Sequence, residues 1–139
     1  MANPDRVLLD TSALYALISS SDEFHQEADA IYRRLLAGDT ELWVTSYVLV
    51  EFGALVHHRL GFDILARFVD AVEGVFETVW LEARTHAEAW EKLNGRGGKG
   101  LNFVDWTTQL TAEALGATVF TFDGDFAREG SPVLPLAQT

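Results

Sequence analysis

Near its start the chain reads Arg6-Val7-Leu8-Leu9-Asp10-Thr11-Ser12-Ala13-Leu14. The apolar run predicts a buried strand over residues 6–10, and residues 12–18 predict a short helix directly after it. A carboxylate is costly to bury unless it is paired or binds a cation. Asp10, at the end of this strand, is therefore either the cap of the helix or part of a binding site.

Three further carboxylates stand beside strongly apolar residues. They occur in the segments Val48-Leu49-Val50-Glu51-Phe52, Asn102-Phe103-Val104-Asp105-Trp106 and Thr121-Phe122-Asp123-Gly124-Asp125-Phe126. Glu51 is predicted inside a helix, Asp105 in the first turn of a helix, and Asp123 directly after a strand. Taken singly, Glu51 could be a solvent-facing residue, Asp105 a partner of the helix dipole and Asp123 a turn residue. Taken with Asp10, they predict one shared oxygen-ligand site suited to Mg²⁺ or Mn²⁺.

Strands alternate with helices along the chain, which predicts an α/β fold whose mostly parallel sheet is covered on both faces. Residues 1–139 are predicted to form one domain. Further strands are predicted over residues 42–45, 76–80 and 117–122, with an edge strand at 132–135. In such sheets ligands bind beyond the carboxyl ends of the strands, where Asp10 and Asp123 can meet.

The helices are predicted from capping residues and from the spacing of apolar side chains. Caps are predicted at Ser20, Ser46, Thr85 and Asn102. The helices are expected to end near residues 37, 61, 93 and 116, and another helix is expected over 63–72. Val50 is assigned to the apolar face of the helix that carries Glu51. The four tryptophans are predicted to lie in the core rather than to stack on bases.

Composition narrows the possible functions. The chain has 139 residues, no cysteine and a formal net charge of −11. Disulfides, zinc–thiolate sites and cysteine nucleophiles are therefore excluded. No apolar run reaches the length of a membrane span and no signal peptide is evident, so we expect a cytoplasmic protein without membrane contact. The acidity argues against nonspecific nucleic-acid binding through a basic face, but not against a nuclease with an acidic metal site.

A few other residues are candidates for the site. Asp125 is either an auxiliary metal ligand or the first residue of a short last helix. Ser12 could orient a ligand, or it could serve only to cap its helix. The glycine-rich stretch over 95–100 is not a P-loop, because Lys99 is not followed by Ser or Thr. Arg96 and Lys99 in this stretch are candidate phosphate contacts, with a solvated connector as the alternative.

The order and separation of the acidic motifs resemble those of PIN-domain ribonucleases over nearly the whole chain. The resemblance is carried by Asp10-Thr11-Ser12-Ala13-Leu14, Glu51, Phe103-Val104-Asp105 and the segment over residues 121–126. Within that family, a free-standing domain of this length is most similar to the VapC-type toxins of bacterial toxin–antitoxin pairs.

The resemblance implies a PIN-like three-layer α/β/α fold and cleavage of single-stranded RNA. It implies that Asp10, Glu51, Asp105 and Asp123 bind one or two Mg²⁺ or Mn²⁺ ions. It further implies a cognate antitoxin protein as partner and a homodimer.

Other function classes remain open at this point. Asp10 could be the nucleophile of a phosphoryl-transfer enzyme, but haloacid-dehalogenase-like enzymes carry a second Asp where this chain has Ser12. Receiver domains need a lysine near the phosphorylated Asp, and neither lysine of this chain lies in a matching place. The chain could also be a housekeeping PIN ribonuclease or a non-catalytic PIN-like interaction module. The complete acidic quartet argues against the module.

Overall fold

A computed structural model describes residues 2–136, and its strands form one parallel sheet. Within that range the strands are β1 (Arg6–Leu9), β2 (Glu41–Thr45), β3 (Glu77–Val79), β4 (Thr118–Phe120) and β5 (Val133–Leu134). Their order is β3-β2-β1-β4-β5, and every neighbouring pair is parallel. The predicted parallel sheet and its edge strand near residues 132–135 are confirmed.

Helices cover both faces of this sheet. Over the same residues they are α1 (Thr11–Ile18), α2 (His25–Ala37), α3 (Ser46–Leu60), α4 (Phe62–Val75), α5 (Ala83–Gly95), α6 (Phe103–Leu115) and α7 (Asp125–Arg128). Successive residues of β1 point to opposite faces. Val7 and Leu9 accordingly lie in one core cluster, and Leu8 lies in another with Trp106. The three-layer α/β/α architecture is therefore confirmed.

The strand order places a ligand-binding crevice at the end of β1. From β1 the chain adds β2 and β3 on one side, and it later adds β4 and β5 on the other. Such a reversal of strand order opens a crevice beyond the carboxyl ends of the strands, because the connections leave in opposite directions. Asp10 immediately follows β1 and lies at this position. No helix within the described residues is long and apolar enough to span a bilayer.

The start predicted for α2 is wrong. The helix begins at His25 rather than at Ser20, and Phe24 occupies the N-cap position. The carboxylate of Asp22 accepts a hydrogen bond from the backbone N–H of Phe24 at 2.9 Å. This local bond holds residues 19–24 in turns, which compete with helix formation. The α1–α2 connection is therefore longer than the sequence suggested.

Two further capping assignments need correction. Thr45 rather than Ser46 caps α3, because its hydroxyl accepts from the Val48 N–H at 3.0 Å. The Ser46 hydroxyl instead accepts from the Leu81 N–H at 3.0 Å. Thr85 lies inside α5, which starts at residue 83 without a side-chain cap. The cap at Asn102 and the end of α3 at Gly61, which has φ of 94°, are confirmed.

Several large apolar side chains predicted inside are exposed. Val50 is 74% exposed, because the buried face of α3 consists of Val48, Phe52 and Val56 at four-residue spacing. Of the tryptophans, Trp106 is buried, whereas Trp80 and Trp90 are 76% and 52% exposed. Trp80 follows the edge strand β3, which among the described strands pairs with β2 alone.

Candidate active site

Asp10 is buried at the junction between β1 and α1. Its Oδ1 atom accepts hydrogen bonds from the Ala13 N–H at 2.9 Å and the Ser12 hydroxyl at 2.8 Å. Its Oδ2 atom accepts from the Thr121 hydroxyl at 2.5 Å. Burial raises the pKa of Asp10 to about 6, an effect that these bonds oppose and the charge of Asp123 reinforces. Asp10 thus caps α1 and also faces the other acids.

Hydroxyl groups attach the segment after β4 to this junction. The Ser12 hydroxyl accepts from the Phe122 N–H at 3.0 Å, and the Thr121 hydroxyl accepts from the Asp123 N–H at 2.9 Å. The predicted strand over 117–122 is too long, because β4 ends at Phe120 and the backbone then turns toward these hydroxyls. Asp123 therefore lies in a turn three residues beyond the strand, rather than directly after it.

Asp105 occupies the first turn of α6 in a reciprocal capping box. The Asn102 side chain accepts from the Asp105 N–H at 2.8 Å, and Asp105 Oδ2 accepts from the Asn102 N–H at 3.1 Å. Burial raises the pKa of Asp105 to about 7, with further increases from the charges of Asp10, Asp123 and Glu51. The four predicted acids are therefore close enough to act on one another.

Glu51 reaches the same place from the middle of α3. Its Oε1 atom accepts from the Thr11 hydroxyl at 2.7 Å, which connects α3 to the first turn of α1. The two side chains are partly buried. Glu51 is therefore not simply a solvent-facing helix residue, in agreement with its apolar neighbours in the sequence.

All four acids line one open cleft with a volume of about 440 Å³. Among residues 2–136, none of the four forms a salt bridge with Lys, Arg or His. In that same range, no three acidic or imidazole side chains are arranged as ligands of a single metal ion. The donor chemistry nevertheless suits a hard divalent cation, because carboxylate oxygens are what Mg²⁺ and Mn²⁺ prefer.

Three other predicted residues lie outside the cleft lining. Asp125 is the first residue of α7 and pairs with Arg128, in agreement with the second of its two predicted roles. Arg96 makes two hydrogen bonds to the Glu129 carboxylate, at 3.1 and 3.0 Å, and its guanidinium lies 5.4 Å from the centre of the Trp106 ring. Arg96 and Lys99 are thus not brought to the acids, and their contact with phosphate stays a prediction.

The cleft also contains side chains that the sequence reasoning did not select. They include one cation, aromatic rings and two more acids, namely Arg59, Tyr15, Phe24, Phe122, Asp22 and Glu23. Helical spacing could have identified Arg59, because Glu51, Leu55 and Arg59 follow one another at intervals of four. Helical spacing could not have identified Phe24, because the helix predicted from Ser20 includes this residue, whereas it lies in the turn before α2.

Comparison with known proteins is consistent with this architecture. The family model for the PIN domain matches residues 7–130. A search of curated proteins finds no significant match.

Solved structures are similar across most of the chain. VapC20 of Mycobacterium tuberculosis, described as a sarcin–ricin loop cleaving toxin, has a TM-score of 0.78 and 24% identity over 90% of this chain and 95% of its own. VapBC2 of Rickettsia felis, bound to a promoter DNA fragment, has a TM-score of 0.70 and 18% identity, covering 92% and 96% of the two chains. DNA-bound VapBC of Salmonella typhimurium has a TM-score of 0.69 and 17% identity, with the same coverages. At such identities the similarity establishes the fold, and the family match, which spans most of the sequence, shows that this chain belongs to the PIN-domain family.

Proposed function

We propose that this chain is a divalent-metal-dependent endoribonuclease that cleaves single-stranded RNA in the cytoplasm. We further propose that it is the toxin of a type II toxin–antitoxin pair. The proposal depends above all on the convergence of Asp10, Glu51, Asp105 and Asp123 on one cleft, where no basic residue of the described chain pairs with them. Four uncompensated carboxylates are unfavourable together unless a cation joins them.

Three of these carboxylates have one oxygen held and one free. Glu51 Oε1, Asp105 Oδ2 and Asp123 Oδ1 each accept a hydrogen bond from a neighbouring residue. Over residues 2–136 their second oxygens accept none, so those atoms are available as ligands. Asp10 differs, because both of its oxygens are already engaged, but Oδ2 has a second lone pair.

These four residues would hold Mg²⁺ or Mn²⁺, which when bound lowers the pKa of a coordinated water and offsets charge on the phosphate. The residues of the chain contribute the orientation. Thr11 fixes Glu51, Thr121 fixes Asp10, and the backbone of Asn102 fixes Asp105. Outer groups of this kind hold metal ligands in the geometry that they need. Ser12 acts here as such a positioning residue, and Asp125 is at most an auxiliary ligand.

The geometry argues against the alternative in which Asp10 is a nucleophile. Asp10 is only 2% exposed, and both of its oxygens accept hydrogen bonds from within the domain. A nucleophilic carboxylate needs an oxygen that can approach phosphorus along an open path.

The toxin assignment has support from similarity alone. VapC20 is described as a toxin, and the two VapBC structures contain related chains. A cognate antitoxin and a second copy of this chain are the proposed protein partners. The exposed side chains of Val50 in α3 and Trp90 in α5, together with Trp80, offer apolar surface that such partners could cover.

The direct test is cleavage of total bacterial RNA by the purified chain with Mg²⁺, with Mn²⁺ and with a chelator. We expect mapped cuts only when metal is present, and none for Asp105→Asn. The matched control is Asp63→Asn, which changes an exposed acid in the first turn of α4. Full activity of Asp105→Asn would contradict the assignment, and hydrolysis of a phosphomonoester without RNA cleavage would favour another reaction class.

A second experiment separates a toxin from a housekeeping ribonuclease. Expression of the wild-type chain should arrest bacterial growth, and co-expression of the neighbouring small open reading frame should restore it. Harmless expression in the native host without that partner would contradict the toxin assignment while leaving the ribonuclease assignment intact.

A further inference from the structure

Arg59 brings a positive charge to the wall of the acidic cleft. It lies in the last turn of α3, on the same helix face as Glu51 and Leu55. Glu51 and Arg59 are eight positions apart, which corresponds to about 12 Å along the helix axis. Arg59 is therefore far enough from Glu51 to contact a different part of a bound polymer.

The guanidinium of Arg59 is positioned but not neutralised. Its central carbon lies 5.7 Å from the centre of the Tyr15 ring, and both residues line the cleft. Among residues 2–136 it forms no salt bridge, although Asp22, Glu23 and Glu51 line the same cleft. A guanidinium held over an aromatic ring keeps its N–H groups free for an anionic ligand.

A partly exposed pair of aromatic rings also lines the cleft. The rings of Phe24 and Phe122 are stacked, with centroids 4.6 Å apart and planes inclined by 10°. Phe24 is 36% exposed, and Phe122 immediately precedes Asp123. An accessible ring of this kind can stack on an unpaired base, and stacking is a major source of affinity for single-stranded RNA.

We propose that Arg59 and the Phe24–Phe122 pair bind a nucleotide that flanks the scissile phosphate. Arg59 contacts the phosphate of that nucleotide, and the ring of Phe24 stacks on its base. The inference rests on the proposed ribonuclease function and adds the contacts that select an unstacked strand. In a chain with a net charge of −11, a cation at the cleft matters, because distant acids repel the RNA backbone.

The phosphate contact can be tested by RNA binding in the uncleaving Asp105→Asn background with Mg²⁺. The probe is a labelled 12-nucleotide RNA that spans a cut site mapped with the wild-type chain. We expect Arg59→Ala to weaken binding about tenfold and to lower the salt slope of log Kd by about 0.7. Arg59→Lys should keep the slope and lose part of the affinity. The matched control is Arg34→Ala, because Arg34 is exposed in the last turn of α2 and has no salt bridge within the described residues.

The base contact is tested with Phe24→Leu and with versions of the probe that lack one base at each position in turn. We expect Phe24→Leu to weaken binding about fivefold or more without changing the salt slope. At one abasic position, Phe24→Leu and the protein that keeps Phe24 should bind the probe equally well, because the base that stacks on Phe24 is then missing. A difference that persists at every position would overturn the stacking contact.

The outcomes separate this inference from the function on which it rests. If the wild-type chain cuts no RNA with metal, the proposed function fails and the nucleotide contacts fail with it. If it cuts RNA but Arg59→Ala binds the probe with the affinity and salt slope of Arg34→Ala, only the Arg59 assignment is overturned. Weaker binding of the antitoxin by Arg59→Ala in that second case would assign Arg59 to the protein partner.

Discussion

Replacing Asp105 by asparagine should stabilise the metal-free protein. Burial and the charges of Asp10, Asp123 and Glu51 raise the pKa of Asp105 from 3.8 to about 7. Taken in full, that difference in pKa means that ionised Asp105 destabilises the folded state by about 4 kcal/mol. Because the side chain is partly exposed, we expect about 2 kcal/mol. The amide oxygen of asparagine can still accept the hydrogen bond from the Asn102 N–H, so the helix cap persists.

The direction of the pH dependence follows from the raised pKa. Well below pH 3.8 the carboxyl group is protonated in both the folded and the unfolded state, so its charge does not affect the free energy of unfolding. Between 3.8 and about 7 the unfolded chain releases the proton first, and the folded state loses stability as the pH rises. The advantage of Asp105→Asn should therefore be absent near pH 3.5 and fully developed at pH 8.

Thermal and urea unfolding in a chelator, at pH 8, pH 6 and the lowest pH at which the protein folds, measures this difference. At pH 8 the expected gain in Tm is about 6 °C, taking roughly 3 °C per kcal/mol for a domain of this size. Asp63→Asn is the control, because Asp63 also lies in a first helical turn but is exposed. Equal or lower stability of Asp105→Asn at pH 8 would refute the proposed electrostatic strain among the four acids.

Three other measurements follow from the same geometry. Mg²⁺ at a hundred times its Kd should stabilise the wild-type chain by about 2.7 kcal/mol and stabilise Asp105→Asn far less. Identical melting curves of the wild-type chain with metal and with chelator would argue against a metal site. Asn102→Ala should cost about 1 kcal/mol in urea unfolding, because the Asp105 N–H loses its cap acceptor, and an unchanged midpoint would contradict that role. If Arg96 and Lys99 contact RNA phosphates as the sequence predicts, replacing both by alanine should lower the salt slope of RNA binding; an unchanged slope would leave the loop a connector.

The sequence predicted most of the fold, because its strongest patterns are local. The apolar run ending at Asp10 needed no tertiary information to indicate a buried strand. Asn102 was a reliable cap because Asp105 reciprocates its hydrogen bond within one turn. The residue pair Ser20 and Glu23 has the same spacing, but there Asp22 bonds the backbone in a turn instead. Spacing alone does not distinguish these two outcomes.

The convergence of the four acids could be anticipated, whereas the rest of the cleft could not. Asp10 and Asp123 follow neighbouring parallel strands, so topology brings them to one edge of the sheet. The turn that carries Asp123 depends on the hydroxyls of Ser12 and Thr121, which lie far apart in the sequence. Phe24 reaches Phe122 only because the α1–α2 connection folds over the cleft, and neither local propensity nor helical periodicity encodes that contact.

The insertion of β4 beside β1 has a consequence during protein synthesis. The chain is synthesised from its N-terminus, so its N-terminal segments leave the ribosome first. Here the first acid is made early, but its neighbours Thr121 and Asp123 belong to a segment translated more than a hundred residues later. Until that segment docks against β1, a nascent chain lacks both the hydroxyl that holds Asp10 and the fourth carboxylate. The proposed ribonuclease would therefore stay inert toward RNA on the ribosome that makes it, and would become active only once β4 and β5 have been released.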